Sequence, residues 1–412
     1  MLDEIEFARA IKSGSLDLIC PHMELLACPN YRHIVLKGTG VIRSDKLGRL
    51  YFRMIAPLEG QSPATIQPSK VPGEIYSPED YVTLSAIDEN GLGWRSNWIV
   101  PRLRNQLPLH SWRVGQYLAN LDHSSQGKGV GCNRVSVIIP NAPELAFDKI
   151  AETSKMVGNQ KVGWSLSRDR HTHRIDETEV TFCGESDHFL SIVATQSTPF
   201  LPGWPGLLCH AVGFVTAQTI LPAVTVRESN GHEDIGLYSG PFRRLRSFMP
   251  GSVRFDGPNG ADGFWHLLEL FFKHVELTKD EKLLDELDGI RRGACGSFQT
   301  ASLTLGIGIE SIAKLLLKNE SVPKLCAESI KKLTGYIEKW PGDASLEKRV
   351  KGALKRLNEA SAADLMYAWA NRTGASRTLI DAWKKLRGGP LAPKGGARPE
   401  STTGWSSWPP AS

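Results

Sequence analysis

Two hydrophobic periods divide the chain. Up to about residue 250, apolar positions come in short runs or alternate with polar ones, the period-2 pattern of half-buried strands. The segments His33-Ile-Val-Leu36, Leu50-Tyr-Phe-Arg-Met-Ile55, Tyr81-Val-Thr-Leu-Ser-Ala-Ile87, Val135-Ser-Val-Ile-Ile139, Glu179-Val-Thr-Phe182 and Phe189-Leu-Ser-Ile-Val193 predict strands. Lys37-Gly-Thr-Gly40 and Asp45-Lys-Leu-Gly48 punctuate the first pair, and Asn90-Gly91, with Trp94 beyond it, predicts a hairpin turn. The proline-rich stretch Gln61 to Pro78 reads as a loop or edge. A helix is predicted from Leu207 to Ile220, after the turn Pro202-Gly-Trp-Pro-Gly206.

Past Gly260 the period lengthens. Phe264, Leu267, Leu268, Phe271, Phe272 and Val275 share one face of a helix. Further helices are predicted near 281–291, 297–318, 323–339, 345–358, 361–371 and 376–387. The last has Ser376 as N-cap, an apolar set of Leu379, Ile380, Trp383 and Leu386, and a stop at Gly388-Gly389-Pro390. The expected fold class is α+β. A β-rich domain of one or two subdomains covers 1–255, a helical bundle covers 256–392, and an aperiodic tail, expected to be disordered, covers 393–412. Pro250-Gly251 and Gly257-Pro258-Asn-Gly260 mark the expected joint.

Charge changes this picture only at one end. The chain carries a net charge of +5. Between Lys331 and Arg398, 15 Lys and Arg stand against 6 Asp and Glu, so the remainder is net acidic. A basic C-terminal third fits a phosphate-bearing partner, although solvated helix faces give the same pattern. Seven scattered cysteines, none spaced Cys-x-x-Cys, suit a reducing compartment. The acidic start Met1-Leu-Asp-Glu-Ile-Glu6 lacks the positive charge of a secretory leader. The longest apolar run, Leu303 to Leu317, is broken by Glu310 and Lys314 and is too polar to span a bilayer. A cytoplasmic protein without a membrane partner is expected.

Several familiar chemistries are weak or missing. Cys20, His22, Cys28 and His33 form one possible ligand set, and His171, His173, Cys183 and His188 another, but neither has the close paired spacing of a structural zinc site. No metal site is expected. Gly127-Lys-Gly-Val-Gly131 lacks the Gly-Lys-Ser/Thr ending of a phosphate loop, and no Gly-x-Ser-x-Gly elbow occurs. Among eleven tryptophans, Trp94, Trp98 and Trp112 are the expected exposed set.

The most specific segment is Trp383-Lys-Lys-Leu-Arg387-Gly-Gly-Pro-Leu-Ala-Pro393. Roughly seventy residues before it, an apolar helix bearing Gly306, Gly308 and one glutamate, Glu310, needs a close helix neighbour and a cation. This arrangement resembles the HEPN superfamily, in particular the ApeA-like HEPN domain of bacterial abortive-infection proteins. Leu36-Lys-Gly-Thr-Gly-Val-Ile42 with Leu50-Tyr-Phe-Arg53 looks like the β-rich domain that precedes HEPN there. The resemblance spans most of the chain, but only the short C-terminal motif is specific.

The resemblance implies a metal-independent endoribonuclease, without cofactor, that pairs two motifs across a homodimer and degrades RNA when a phage-derived trigger is sensed. Its motif is an arginine followed after a short spacer by a histidine. The histidine moves the proton of the attacking 2′-hydroxyl, and the arginine stabilises charge on the phosphorane. Arg387 matches the arginine, with Glu310 in support; Lys384, Lys385, Arg387 and Lys394 would bind RNA. Pro393 stands in the histidine's place, Gly388 where a polar residue is expected, and no histidine follows His274. Proline transfers no proton, so weak or absent nuclease activity is expected. Two rivals remain: a non-catalytic sensor module that dimerises through its helices, and an enzyme whose site lies in the β-rich domain.

Overall fold

A computed structural model describes residues 4–27, 34–57, 81–100, 102–106, 111–126, 133–147, 149–150, 153–157, 160–164, 168–229, 231–242, 260–320, 327–339, 341–357 and 360–388. The expectations for Gln61–Pro78, Gly127–Gly131, Cys28, His33, the joint around 250–259 and the tail from Pro393 lie outside them. The architecture is α+β: a large antiparallel sheet, followed by helices. The chain divides into two compact units, Met1–Asp280 and Glu281–Ser412.

In the first unit, helix α1 (Glu4–Ser13) precedes strands β1 (Asp17–Ala27), β2 (Ile34–Ser44), β3 (Leu50–Pro57), β4 (Val82–Ile87), β5 (Gly93–Ile99), β6 (Arg102–Gln106), β7 (Ser111–Tyr117) and β8 (Asn120–Gln126). Next come β9 (Asn133–Pro140), β10 (Lys149–Ile150), β11 (Thr153–Val157), β12 (Gln160–Trp164), β13 (Arg168–Ile175), β14 (Thr178–Glu185) and β15 (Phe189–Gln196). Helix α2 (Trp204–Thr216), β16 (Val224–Ser229), β17 (His232–Tyr238) and helix α3 (Gly260–Thr278) complete the unit.

Fifteen strands form one sheet in the order β10-β13-β14-β15-β9-β16-β17-β8-β5-β4-β1-β2-β3-β7-β6, with β11 and β12 as a separate hairpin. Gly91, at φ 81°, supplies the left-handed residue that the turn between β4 and β5 needs.

The inner face closes on α1. Ala8 and Ile11 join Leu25, Leu36, Ile42, Phe52, Leu84, Leu121, Ile138, Val224 and Leu237 in one buried cluster. Alternation explains why: these strand residues occupy every second position, so a single face collects them. Glu4 fixes the start of α1 by accepting from Arg134 Nη1 at 3.2 Å, and Arg134 also reaches Glu228 at 2.7 Å.

Helix α3 belongs to this unit and not to the helical bundle, contrary to the sequence expectation. Its Trp265 stacks on His171 with ring centroids 3.8 Å apart, and its indole Nε1 donates to the Ala146 carbonyl at 2.8 Å. Helical periodicity gives the face a helix buries but not its partner, here a sheet.

The second unit contains α4 (Glu281–Ala294), α5 (Phe298–Leu316), α6 (Ala327–Glu338), α7 (Ala344–Leu357), α8 (Ala362–Thr373) and α9 (Arg377–Gly388). Gly308 lets α4 and α5 approach; a Cβ there would stand 2.3 Å from Ile290 Cγ1. Ser361 and Asp364 form a capping box at the start of α8. Ile380 and Trp383 of α9 are buried as expected, but Leu379 is 74% exposed.

Candidate functional site

The helical unit brings together the two elements on which the HEPN resemblance rests. Trp383 of α9 is buried and donates its indole N–H to the Gly306 carbonyl of α5 at 3.0 Å. Ala313 of α5, Ala362 of α8 and Trp383 form the local core. One turn beyond Gly306, Glu310 accepts from Lys314 Nζ at 2.9 Å, an i,i+4 pair. Glu310 therefore has a cation on its own helix. By backbone, Arg387 is the penultimate residue of α9. The side chains of Leu386 and Arg387, with Pro393 and Lys394, lie outside the described residues.

Lys384 and Lys385 are exposed, and Lys384 lies 5.3 Å from the centroid of the Tyr367 ring. Tyr367 donates to Asp381, which raises the tyrosine's pKa. The end of α9 thus offers two lysines to solvent beside an aromatic face.

A second constellation lies on the sheet's outer face, and register builds it. One row of neighbouring residues runs His171, Phe182, Ile192, Val137, Thr225, Gly236, Asp122, Arg95, Ser85, Glu24, Lys37 across eleven adjacent strands, from β13 to β2. Phe182, Ile192 and Val137 are fully buried. From Thr225 onward the row turns polar, and a cleft of about 810 Å³ opens over it. Pro202, Gly203, Pro205 and Gly206, at the start of α2, form its wall.

Two carboxylates in this cleft are shifted in opposite directions. Asp122 accepts from Asn120 Nδ2 at 2.7 Å. Burial raises the Asp122 carboxyl; the Asn120 hydrogen bond opposes this, and the charge of Asp234 adds to it, leaving the pKa above its ordinary value. Asp234 accepts from Ser124 Oγ at 2.7 Å and from Arg227 Nε at 3.2 Å. Burial works upward there too, but the hydrogen bonds from Arg227 and Ser124 outweigh it and the pKa falls. Burial also raises the Tyr238 phenol, which meets Thr225 Oγ1 at 3.4 Å. The His123 ring faces the core, and its Nδ1–H donates to the Gly93 carbonyl at 2.7 Å. None of these residues was singled out from the sequence, because pairing alone unites positions near 95, 122 and 230.

Of the sequence's metal candidates, His171, His173 and Cys20 are held by packing or a carboxylate, whereas His22 and His188 are exposed. His171 and His173 do share a strand face, with centroids 5.7 Å apart, but Trp265 covers His171 and His173 Nε2 meets Glu269 at 3.1 Å. Cys20 is buried and its thiol is pushed up to about 12, first by desolvation. Among the described residues no cluster of three His, Cys, Asp or Glu is placed to hold a metal ion. No helix among them is long and apolar enough to cross a membrane. Of the tryptophans expected at the surface, Trp98 is exposed, whereas Trp94 is buried and donates to Asp88 at 3.0 Å. The Trp112 side chain lies outside the described residues.

Compared with known proteins, the chain matches no protein-family model and no curated protein.

Proposed function

We propose that this chain is a cytoplasmic RNA-binding protein of the abortive-infection type, whose HEPN-like helical unit holds RNA and cleaves it weakly or not at all. One observation carries the reading: the bond from Trp383 to Gly306 seats the motif-bearing helix α9 against the glutamate-bearing helix α5. The resemblance needs these two helices side by side, although they lie far apart in sequence. Lys384 and Lys385 supply positive charge at the same helix end, and attraction to phosphate needs no histidine. With Pro393 in place of the proton-transfer residue, general acid–base assistance of about 10²–10⁴-fold is missing.

Homodimerisation through the helices is part of this proposal. Leu303 and Ile307, one turn apart on α5, are both more than half exposed, an apolar stripe that a second copy would bury. The outer-face cleft favours the related reading of a sensor for a phage-derived trigger, since it is a concave site with convergent polar groups.

The test is RNA retention and turnover by the purified full chain. Binding that weakens with salt, falls in Lys384→Ala/Lys385→Ala and gives little cleavage is expected. Efficient cleavage that survives Arg387→Ala would overturn the reading.

A further inference from the structure

A surface at the far end of the same outer face calls for a ligand of its own. On strands β2, β3, β7 and β6, register sets Arg43 beside Tyr51 and Tyr51 beside Tyr117 in one row. The next row reads Val41, Arg53, Gly115, Arg102, and the one after sets Ile55 beside Arg113. Gly115 leaves a notch at the centre, the floor of a cleft of about 760 Å³ lined by Arg53, Arg102, Arg113, Tyr51, Tyr117 and Ile55. Side chains two strands apart stand about 10 Å from each other, so Arg53 and Arg102 flank this notch.

The charges here are not balanced as they are elsewhere. Arg43 is tied to Asp17 at 2.8 Å and Arg49 to Asp45 at 2.7 Å. Arg53, Arg102 and Arg113 make no ion pair with a carboxylate among the described residues. Arginines on a sheet edge can serve merely to prevent edge-to-edge pairing. That accounts for Arg102 on the outermost strand β6 but not for Arg53, which lies two strands inside.

Aromatic surface accompanies the charge. The Tyr51 and Tyr117 rings meet edge to face at 6.1 Å, and Tyr117 and Ile55 are each 51% exposed. Arg53 lies 5.4 Å from the Tyr51 ring centroid, and Arg49 lies 4.5 Å from that of Tyr117. Guanidinium groups that bind phosphate in a fork, next to rings that stack on bases, are the two parts of a single-strand platform.

We propose that the β2–β3–β7–β6 face binds single-stranded RNA, with Arg53, Arg102 and Arg113 on phosphates and Tyr51 and Tyr117 against bases. The surface is distinct from the end of α9; it rests on the proposed function only in taking RNA as the biological ligand. An acidic peptide would satisfy the arginines but not the rings, and a duplex would hide its bases from the tyrosines.

The test uses the full chain and a fluorescent single-stranded oligo-U RNA, with a blunt RNA duplex and poly-glutamate as alternative probes. The variants are Arg53→Gln/Arg102→Gln/Arg113→Gln, Tyr51→Leu/Tyr117→Leu and Lys384→Ala/Lys385→Ala, each checked for an unchanged melting temperature. Each phosphate contact on a single strand contributes about 0.7 to the slope of log affinity against log salt. The triple arginine variant should therefore lose about 2 from that slope and bind oligo-U at least tenfold more weakly. The tyrosine pair should weaken oligo-U and leave the duplex unaffected.

Unchanged oligo-U binding in the triple variant overturns this inference, as does preference for the duplex or for poly-glutamate. If only the lysine variant loses binding, the helix-end reading stands and this one falls. If only the arginine variant does, the reverse holds.

Discussion

The two ends of the sheet's outer face obey one geometric rule and reach opposite outcomes. At β13–β15 the face presents His171, Phe182 and Ile192, and α3 lays Trp265 over it. At β2–β7 the same face presents Arg43, Arg53 and Arg113 with Tyr51 and Tyr117, and lines an open cleft. Pleat and pairing are alike at both ends, so side-chain chemistry alone decides which end packs and which awaits a ligand. Between them, at the start of α2, lies the polar cleft of Asp122 and Asp234, where the apolar row gives way.

Truncating one residue at each end separates the two outcomes most clearly. Trp265→Ala removes a buried ring stacked on His171 and should cost about 3–5 kcal/mol by chemical denaturation. Arg53→Ala should stay within about 0.5 kcal/mol. Similar losses at both ends would mean that the arginine face is also a packed surface.

A pair of glycines offers the same contrast in the helical unit. At Gly308 a Cβ would collide with Ile290, whereas at Gly306 it would meet nothing within 4 Å. Gly308→Ala should therefore destabilise the unit by about 1–3 kcal/mol through overpacking. Gly306→Ala should stabilise it by about 1 kcal/mol through helix propensity. Two substitutions of equal sign would show that α4 and α5 are not closely apposed at Gly308. Trp383→Phe keeps the packing but removes the donor to the Gly306 carbonyl, with an expected loss of about 0.5–1.5 kcal/mol.

The smallest effects concern pH, and their signs differ. The Asp234 pKa is lowered on folding, so its stabilisation is present above the unfolded value near 3.9 and is lost as pH falls through the folded value. The Asp122 pKa is raised, so its stabilisation is full below about 3.9 and is lost as pH rises through the folded value. Asp234→Asn should therefore lower the melting temperature at pH 7, and Asp122→Asn should raise it. Both differences should shrink toward pH 3. Equal signs at pH 7 would refute the two environments described for the cleft.

Much of the fold was legible wherever a face is uniformly apolar. The periodic segments from 281 to 387 match helices α4 to α9 to within a few residues, and Asn90-Gly91 marks the turn between β4 and β5. Strands with one polar face escaped: β6 is Arg-Leu-Arg-Asn-Gln and β8 is Asn-Leu-Asp-His-Ser-Ser-Gln, both with too few apolar residues to show alternation. Helix α1 escaped because its segment opens Glu4-Ile-Glu6 and buries only Ala8 and Ile11. Trp94 looked like a surface residue because nothing local indicates that Asp88 would accept its indole proton. Lys384, Lys385 and Arg387 stand together in sequence, so a charged cluster is legible there. Arg53, Arg102 and Arg113 are joined only by register, and the sequence carries no sign of that.

RNA held without efficient cleavage can be seen in a single assay. A labelled single-stranded RNA is incubated with excess full-length protein at 50 and 200 mM salt, and bound and cleaved fractions are followed in the same samples. Retention should fall steeply at the higher salt, with the strand left largely intact. Rapid cleavage, or no retention at the lower salt, would contradict it.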